Sequence, residues 1–92
     1  MRYEVLLSRT AEDQLEFFKK SGNKARLRKI KNLFEELEVH PTTGTGKPEP
    51  LKGDLSGYYS RRIDGKNRMI YLIDNDKIIV EVLSVKGHYF DK

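Results

Sequence analysis

The order of apolar and polar positions predicts a short strand and then a helix near the start of the chain. Residues 3–7 favour extended structure and are interpreted as a strand. After them, apolar side chains recur at helical spacing on one face, at Ala11, Leu15 and Phe18. Thr10 is the predicted N-cap of this helix, and Ser21 and Gly22 are its predicted end.

A second, longer helix is predicted to follow at once. Asn23 is a suitable N-cap, the helix is expected to reach about Glu38, and Pro41 prevents it from continuing. Its apolar stripe consists of Leu27, Ile30, Phe34 and Leu37. The two helices are therefore expected to form a helical hairpin.

The rest of the chain predicts a long loop and a β-meander. Residues 39–56 contain all three prolines and are expected to form an ordered loop. Three strand-like runs follow, separated by turn sequences at 64–67 and 74–76: residues 58–63, 68–73 and 77–85. The predicted fold is one α+β domain over residues 1–92, with the order β-α-α-β-β-β. Its small, twisted, mainly antiparallel sheet packs on the helices, and the hairpin register stays open.

Composition limits the classes of function. The chain has no cysteine, which excludes disulfides and thiolate metal sites, and its two histidines form no metal-ligand pattern. No metal or cofactor is therefore expected. The net charge of +4 favours an anionic partner such as nucleic acid. No apolar run approaches membrane-spanning length, so we expect a cytoplasmic protein with no membrane association.

Charge is unevenly distributed along the second helix. Its first half is basic and its end is acidic, which is the reverse of what the helix dipole favours. Two interpretations remain open, a binding face and an ordinary solvated surface. The candidate binding residues are Lys24, Arg28 and Lys31.

Glu49 is the strongest candidate for chemistry, because Pro48 and Pro50 on either side restrict its backbone. RNA is cleaved when its own 2′-hydroxyl attacks the adjacent phosphate, which requires a base, cations near the phosphate and an acid at the leaving oxygen. Glu49 suits the base and His88 the acid, while Tyr89 suits stacking on a nucleobase. The candidate phosphate-binding cations are Lys47, Lys52, Arg61, Arg62 and Arg68. Each of these residues, taken singly, is also compatible with a plain surface position.

Taken together, these motifs resemble the YoeB/Txe toxins of bacterial toxin–antitoxin systems, within the RelE/ParE superfamily. The resemblance extends over about residues 41–89. The residues that carry it are Gly46-Lys47-Pro48-Glu49-Pro50-Leu51-Lys52, Leu55-Ser56-Gly57, Ser60-Arg61-Arg62-Ile63, Asn67-Arg68-Met69-Ile70-Tyr71 and His88-Tyr89.

The resemblance implies a ribosome-dependent endoribonuclease that cuts messenger RNA and so inhibits translation. It assigns the role of general base to Glu49, phosphate support to Arg68 and the role of general acid to His88. It also implies that Tyr89 contacts a nucleobase of the RNA. It also implies an acidic antitoxin of the YefM/Axe type as partner, together with the ribosome and messenger RNA, and it leaves a homodimer open.

Two other functions are compatible with such a chain. A ParE-like toxin would have the same fold and inhibit DNA gyrase, and a non-catalytic RNA-binding module would bind without turnover. Neither needs a base, a phosphate-binding cation and an acid together, so the combination of Glu49, Arg68 and His88 favours the nuclease.

Overall fold

The computed structural model describes residues 2–87, which form two helices and one five-stranded sheet. A single turn of 3-10 helix at Gly53–Leu55 interrupts the loop before the third strand. The elements are β1 (Glu4–Leu7), α1 (Arg9–Ser21), α2 (Lys24–Val39), β2 (Glu49–Pro50), β3 (Tyr58–Arg62), β4 (Arg68–Asp74) and β5 (Ile79–Ser84).

The strands lie in the order β1-β5-β4-β3-β2. The β1–β5 pair is parallel and the other three pairs are antiparallel, as predicted for a mainly antiparallel sheet. Both helices pack on one face, where they bury alternate strand residues such as Met69, Tyr71, Val80 and Val82. The predicted α+β fold is confirmed, and the opposite face of the sheet is left uncovered by the helices.

The first helix begins earlier than predicted. Ser8, and not Thr10, is its N-cap: the Ser8 hydroxyl accepts a hydrogen bond from the Ala11 amide at 3.0 Å. The same hydroxyl donates to the Leu83 carbonyl at 2.7 Å, which ties the helix start to the end of β5. This tertiary contact favours Ser8 over an otherwise suitable threonine two residues later. Gly22 ends the helix in a left-handed conformation, as predicted.

The second helix has the predicted cap and a slightly different buried stripe. The Asn23 side chain accepts from the Arg26 amide at 2.9 Å. Ile30, Leu33 and Leu37 are fully buried, whereas Leu27 and Phe34 are only partly buried against the core. Leu33, which the predicted stripe omitted, therefore replaces Phe34 at its centre.

The predicted long loop contains a strand that the sequence analysis missed. Glu49 and Pro50 form β2, which pairs antiparallel with Ser60 and Tyr59 of β3. β2 lies at the edge of the sheet, where the missing amide proton of Pro50 costs no hydrogen bond. The pairing gives Glu49 a fixed register against the rest of the sheet.

Candidate active site

The site is built on the face of the sheet that the helices leave uncovered. Tyr59 packs against the core and Arg61 is buried, so the intervening Ser60 points to the opposite face of β3. Glu49 is directly opposite Ser60 in the register, so it lies on that same face. Its side chain is 53% exposed and accessible to a large ligand.

Arg68 joins Glu49 to the body of the sheet. It is the first residue of β4 and is opposite Arg62. Its Nη2 donates to Glu49 Oε1 at 3.2 Å, and its Nε donates to the Ser60 hydroxyl at 2.5 Å. Only 15% of the Arg68 side chain is exposed, so the guanidinium is oriented by the protein. The structure thus brings together the carboxylate and the arginine that the sequence singled out.

Three further predicted cations are exposed near this part of the chain. Arg62 lies on the strand face of Arg68, Lys52 follows β2, and Lys47 precedes it by two residues. Lys47 has φ of 51°, a left-handed conformation that a residue with a side chain seldom adopts. Such strained conformations persist only where the surrounding structure enforces them, and they are common at functional sites.

Gly46, immediately before Lys47, lies in close contact with β3. The Gly46 carbonyl accepts from the Arg62 amide at 2.7 Å. A Cβ atom at this position would lie 2.5 Å from the Arg62 carbonyl oxygen, and φ is 84°, so both space and conformation require glycine. The close approach fixes where the chain enters β2.

Arg61 corrects the sequence prediction, which grouped it with the phosphate-binding cations. Its side chain is fully buried, and its guanidinium donates to five acceptors. These are Glu36 Oε1 at 3.0 Å, the Tyr71 hydroxyl at 3.3 Å, and the carbonyls of His40 at 2.8 Å, Thr43 at 2.8 Å and Thr45 at 3.4 Å. Arg61 therefore fastens residues 40–45 to the sheet from inside and is not accessible to a phosphate.

Two partners of Arg61 have altered acidity. Partial burial would raise the pKa of Glu36, but hydrogen bonds from Thr45 and the charge of Arg61 outweigh it, so the pKa is lowered. Burial raises the pKa of Tyr71, although its hydrogen bond with Arg61 acts in the opposite direction. Tyr71 also donates to the Pro41 carbonyl at 2.6 Å, so both residues support the loop that leads to β2.

The chain passes Arg68 again just before the predicted acid. The Arg68 amide donates to the Gly87 carbonyl at 2.9 Å, so the last described residue lies beside the arginine. The predicted acid His88 and the predicted stacking residue Tyr89 lie outside the described residues.

The basic residues of α2 form a separate surface. Lys24, Arg28 and Lys31 are exposed, whereas Arg26 forms an ion pair with Asp64 at 2.9 Å. These three residues lie on α2, whereas Glu49 and Arg68 lie on β2 and β4 of the sheet.

The family model that describes the YoeB-like toxin of the bacterial type II toxin–antitoxin system matches residues 7–89. The chain belongs to this family. The toxin YoeB of Mycobacterium bovis is 42% identical over 69 residues, which is 75% of this chain and 79% of that protein.

Solved structures agree with the sequence comparison. The YoeB dimer of Staphylococcus aureus has a TM-score of 0.82 at 33% identity, with 97% of this chain and all of that chain covered. The YoeB–YefM complex of the same species has a TM-score of 0.80 at 34% identity, with the same coverage. The chain is accordingly a toxin of the YoeB type.

For this YoeB-like toxin, the residues that support the candidate site were not evident from the sequence. Ser60 orients Arg68, Gln14 and Asn67 hold residues 85–87, and Glu36 holds Thr45. Their polar side chains have no distinguishing pattern in the sequence, since each matters only through a partner distant along the chain. Alternation along β3 was the one available signal, because it makes either Arg61 or Arg62 point inward.

Within residues 2–87 of this family member, no group of three histidine, aspartate or glutamate side chains is placed to hold a metal ion. The same residues contain no helix that is both long enough and apolar enough to cross a membrane.

Proposed function

We propose that this toxin is a ribosome-dependent endoribonuclease that cleaves messenger RNA and thereby inhibits translation. The observation that supports it best is the pair formed by Glu49 and Arg68 on the uncovered face of the sheet. An accessible carboxylate beside an oriented guanidinium offers a base and a phosphate ligand within one nucleotide's reach. The nearby exposed cations Lys47, Lys52 and Arg62 provide further phosphate contacts.

In the proposed reaction, the 2′-oxygen of the RNA attacks the adjacent phosphorus while Glu49 takes the 2′-hydroxyl proton. The bond from phosphorus to the 5′-oxygen breaks, and protonated His88 gives that oxygen its proton. The products are a 2′,3′-cyclic phosphate and a 5′-hydroxyl. Because the nucleophile belongs to the RNA itself, this route requires no metal ion.

Arg68 has two successive roles in this proposal. In the free protein it holds the Glu49 carboxylate at 3.2 Å. A bound phosphate competes for the guanidinium, which releases Glu49 Oε1 to accept the proton. Arg68 then neutralises the charge that builds up on the phosphate oxygens in the transition state. Tyr89 stacks on a base next to the cut and so orients the nucleotide.

The partners follow from the family and from the charge of the site. YoeB of Staphylococcus aureus forms a complex with YefM, which supports an acidic antitoxin of that type for this chain. An acidic segment bound over Glu49 and Arg68 would block access to RNA. The staphylococcal dimer supports a homodimer here as well. We expect the toxin to act in the cytoplasm, where ribosomes translate messenger RNA.

The test compares growth inhibition and ribosome-dependent cleavage for Glu49→Gln, Arg68→Ala and His88→Ala. Each should reduce the cleavage rate by about 100-fold or more, as expected for the loss of an acid–base group or a transition-state contact. Glu16→Gln, which changes an exposed carboxylate of α1, is the matched control and should cleave normally. A thermal melt of each variant separates loss of chemistry from loss of fold.

A second measurement tests the nucleophile. A message with a 2′-methoxy group at the cut position should resist cleavage, while the same group one nucleotide away should have little effect. Normal cleavage by all three variants, or efficient cleavage of the blocked message, would reject the proposed mechanism. Growth arrest with intact messages and inhibited DNA gyrase would support the ParE-like alternative instead.

A further inference from the structure

The backbone amides of the segment that follows β5 are held by side chains. β5 ends at Ser84, and the next three backbone amides all donate to side-chain oxygens. Gln14 Oε1 accepts from Val85 at 2.8 Å and from Lys86 at 3.1 Å, and Asn67 Oδ1 accepts from Gly87 at 2.9 Å. Two amide side chains therefore set the path of residues 85–87.

Gly87 is fixed from its other side as well. Its carbonyl accepts from the Arg68 amide at 2.9 Å, so the peptide that precedes residue 88 is bound next to the candidate phosphate ligand. Its φ of 79° turns the chain at this point, in a conformation that glycine adopts without penalty.

The Asn67 side chain is itself locked in orientation. It is 7% exposed, and its Nδ2 donates to Asp64 Oδ1 at 3.0 Å and to Asp64 Oδ2 at 3.2 Å. Asp64 is held in turn by the Arg26 side chain at 2.9 Å and the Lys66 amide at 2.8 Å. With the nitrogen directed to a carboxylate, the Asn67 oxygen must face Gly87.

Gln14 approaches the segment from α1, on the other side. The side chain of Val85 is fully buried in the core, which anchors this residue independently of the hydrogen bond. The Lys86 ammonium lies 4.9 Å from the centre of the Phe17 ring, a further contact between α1 and the segment. Loss of Gln14 should therefore loosen the path of residues 86 and 87 more than it disturbs the core.

We propose that Gln14 and Asn67 are positioning residues of the nuclease site: by fixing residues 85–87 beside Arg68, they set where His88 delivers its proton. This inference rests on the proposed function, in which His88 is the general acid. Neither residue touches RNA in this proposal, and each acts through the backbone that it holds. Small errors in the placement of a catalytic group have large effects on rate, about 100-fold for 1 Å.

The first experiment measures cleavage of a ribosome-bound message by Gln14→Ala, Gln14→Glu and Asn67→Ala. Both alanine variants should lose about 10-fold to 100-fold in rate at saturating ribosomes, with little change in the KM for ribosomes. Gln14→Glu retains an oxygen that accepts from both amides and should recover most of the rate. Since Gln14 is only half-buried, its variants should remain folded, which a thermal melt will verify.

The second experiment removes the need for an acid. A message with sulfur in place of the 5′-oxygen at the cut has a thiolate leaving group, which departs without a proton. On this message His88→Ala, Gln14→Ala and Asn67→Ala should come within a few-fold of the unchanged toxin. Glu49→Gln should remain slow, because the sulfur does not replace the base.

The results distinguish this inference from the proposed function. If His88→Ala cleaves the ordinary message at full rate, the assignment of the acid is wrong. If His88→Ala is slow while Gln14→Ala and Asn67→Ala are normal, the assignment stands and the positioning roles are rejected. The positioning roles are also rejected if the alanine variants remain slow on the message with the sulfur leaving group. They are rejected as well if Gln14→Glu cleaves the ordinary message as slowly as Gln14→Ala. If Asn67→Ala does not fold, the comparison of Gln14→Ala with Gln14→Glu tests the proposal.

Discussion

At the scale of single residues, two adjacent arginines have opposite environments. Arg61 is fully buried and donates to five internal acceptors, whereas Arg62 is exposed on the face of Glu49 and Arg68. The geometry of a guanidinium is essential for the first role, since a lysine ammonium cannot reach five acceptors arranged around a planar fork. For the phosphate contact proposed for Arg62, a positive charge without the guanidinium geometry is partly sufficient.

Lysine substitutions at these two positions should therefore separate stability from activity. Arg61→Lys should lower the free energy of unfolding by about 2 to 4 kcal/mol, because buried carbonyls and the Glu36 carboxylate lose their donors. Arg62→Lys should change it by less than about 0.5 kcal/mol and leave most of the cleavage activity. Urea unfolding and cleavage assays check both, with Arg62→Ala as the variant that should reduce cleavage at unchanged stability. Equal destabilisation by the two lysine variants would contradict the buried role of Arg61.

At the scale of elements, two partly buried ion pairs connect α2 to β3 and the turn that follows it. Arg26 pairs with Asp64 at the start of the helix, and Glu36 pairs with Arg61 near its end. Partial burial opposes ionisation of both carboxyls, but hydrogen bonds and the arginines lower both pKa values below their ordinary values of 3.8 for Asp64 and 4.5 for Glu36.

This arrangement predicts an acid-sensitive stability. Because the folded pKa values are lowered, the unfolded chain takes up protons first, and the stabilisation present at neutral pH is lost as the pH falls below about 4.5. Glu36→Gln should flatten the fall in unfolding free energy between about pH 5 and pH 3. Glu35→Gln, on the exposed side of the same helix, is the matched control. An unchanged acid slope in Glu36→Gln would show that this carboxyl does not titrate differently on folding.

The elements also show how far the sequence could be interpreted. Helical spacing and end signals predicted both helices, and the prolines around Glu49 drew attention to the carboxylate that lies 3.2 Å from Arg68. β2 was missed because a two-residue strand has no period. Whether Arg61 or Arg62 points inward depends on the register of β3 against β4, and that register depends on side-chain contacts in the turn. There Asp64 Oδ1 accepts from the amides of Lys66 and Asn67, a geometry that residue types alone do not determine.

At the scale of the whole molecule, two groups of cationic residues are candidates for contact with RNA. One is the site around Arg68, and the other is the exposed basic half of α2, at Lys24, Arg28 and Lys31. A net charge of +4 attracts polyanions in general, so a specific role for α2 must be tested against that background.

Charge reversal at matched positions provides this test. A variant with Lys24, Arg28 and Lys31 changed to glutamate should co-sediment poorly with ribosomes, and its binding should fall less steeply with salt because fewer counterions are released. The control reverses Lys19, Lys20 and Lys77, which are also exposed, and so removes the same charge elsewhere. Equal loss of binding in the two variants would show that the effect comes from net charge. The basic half of α2 would then be an ordinary solvated surface.

The parallel pairing of β1 with β5 has a consequence for the synthesis of the protein. Glu4 is paired with Ile79, so the first strand made finds its place only beside the last. Contacts between such distant residues close late, since the loop between them must first be ordered. A chain emerging from a ribosome would therefore carry β1, both helices and β3 without a complete sheet. The complete sheet, and with it the proposed nuclease, therefore forms only after β5 has been synthesised, so no active copy exists before that point.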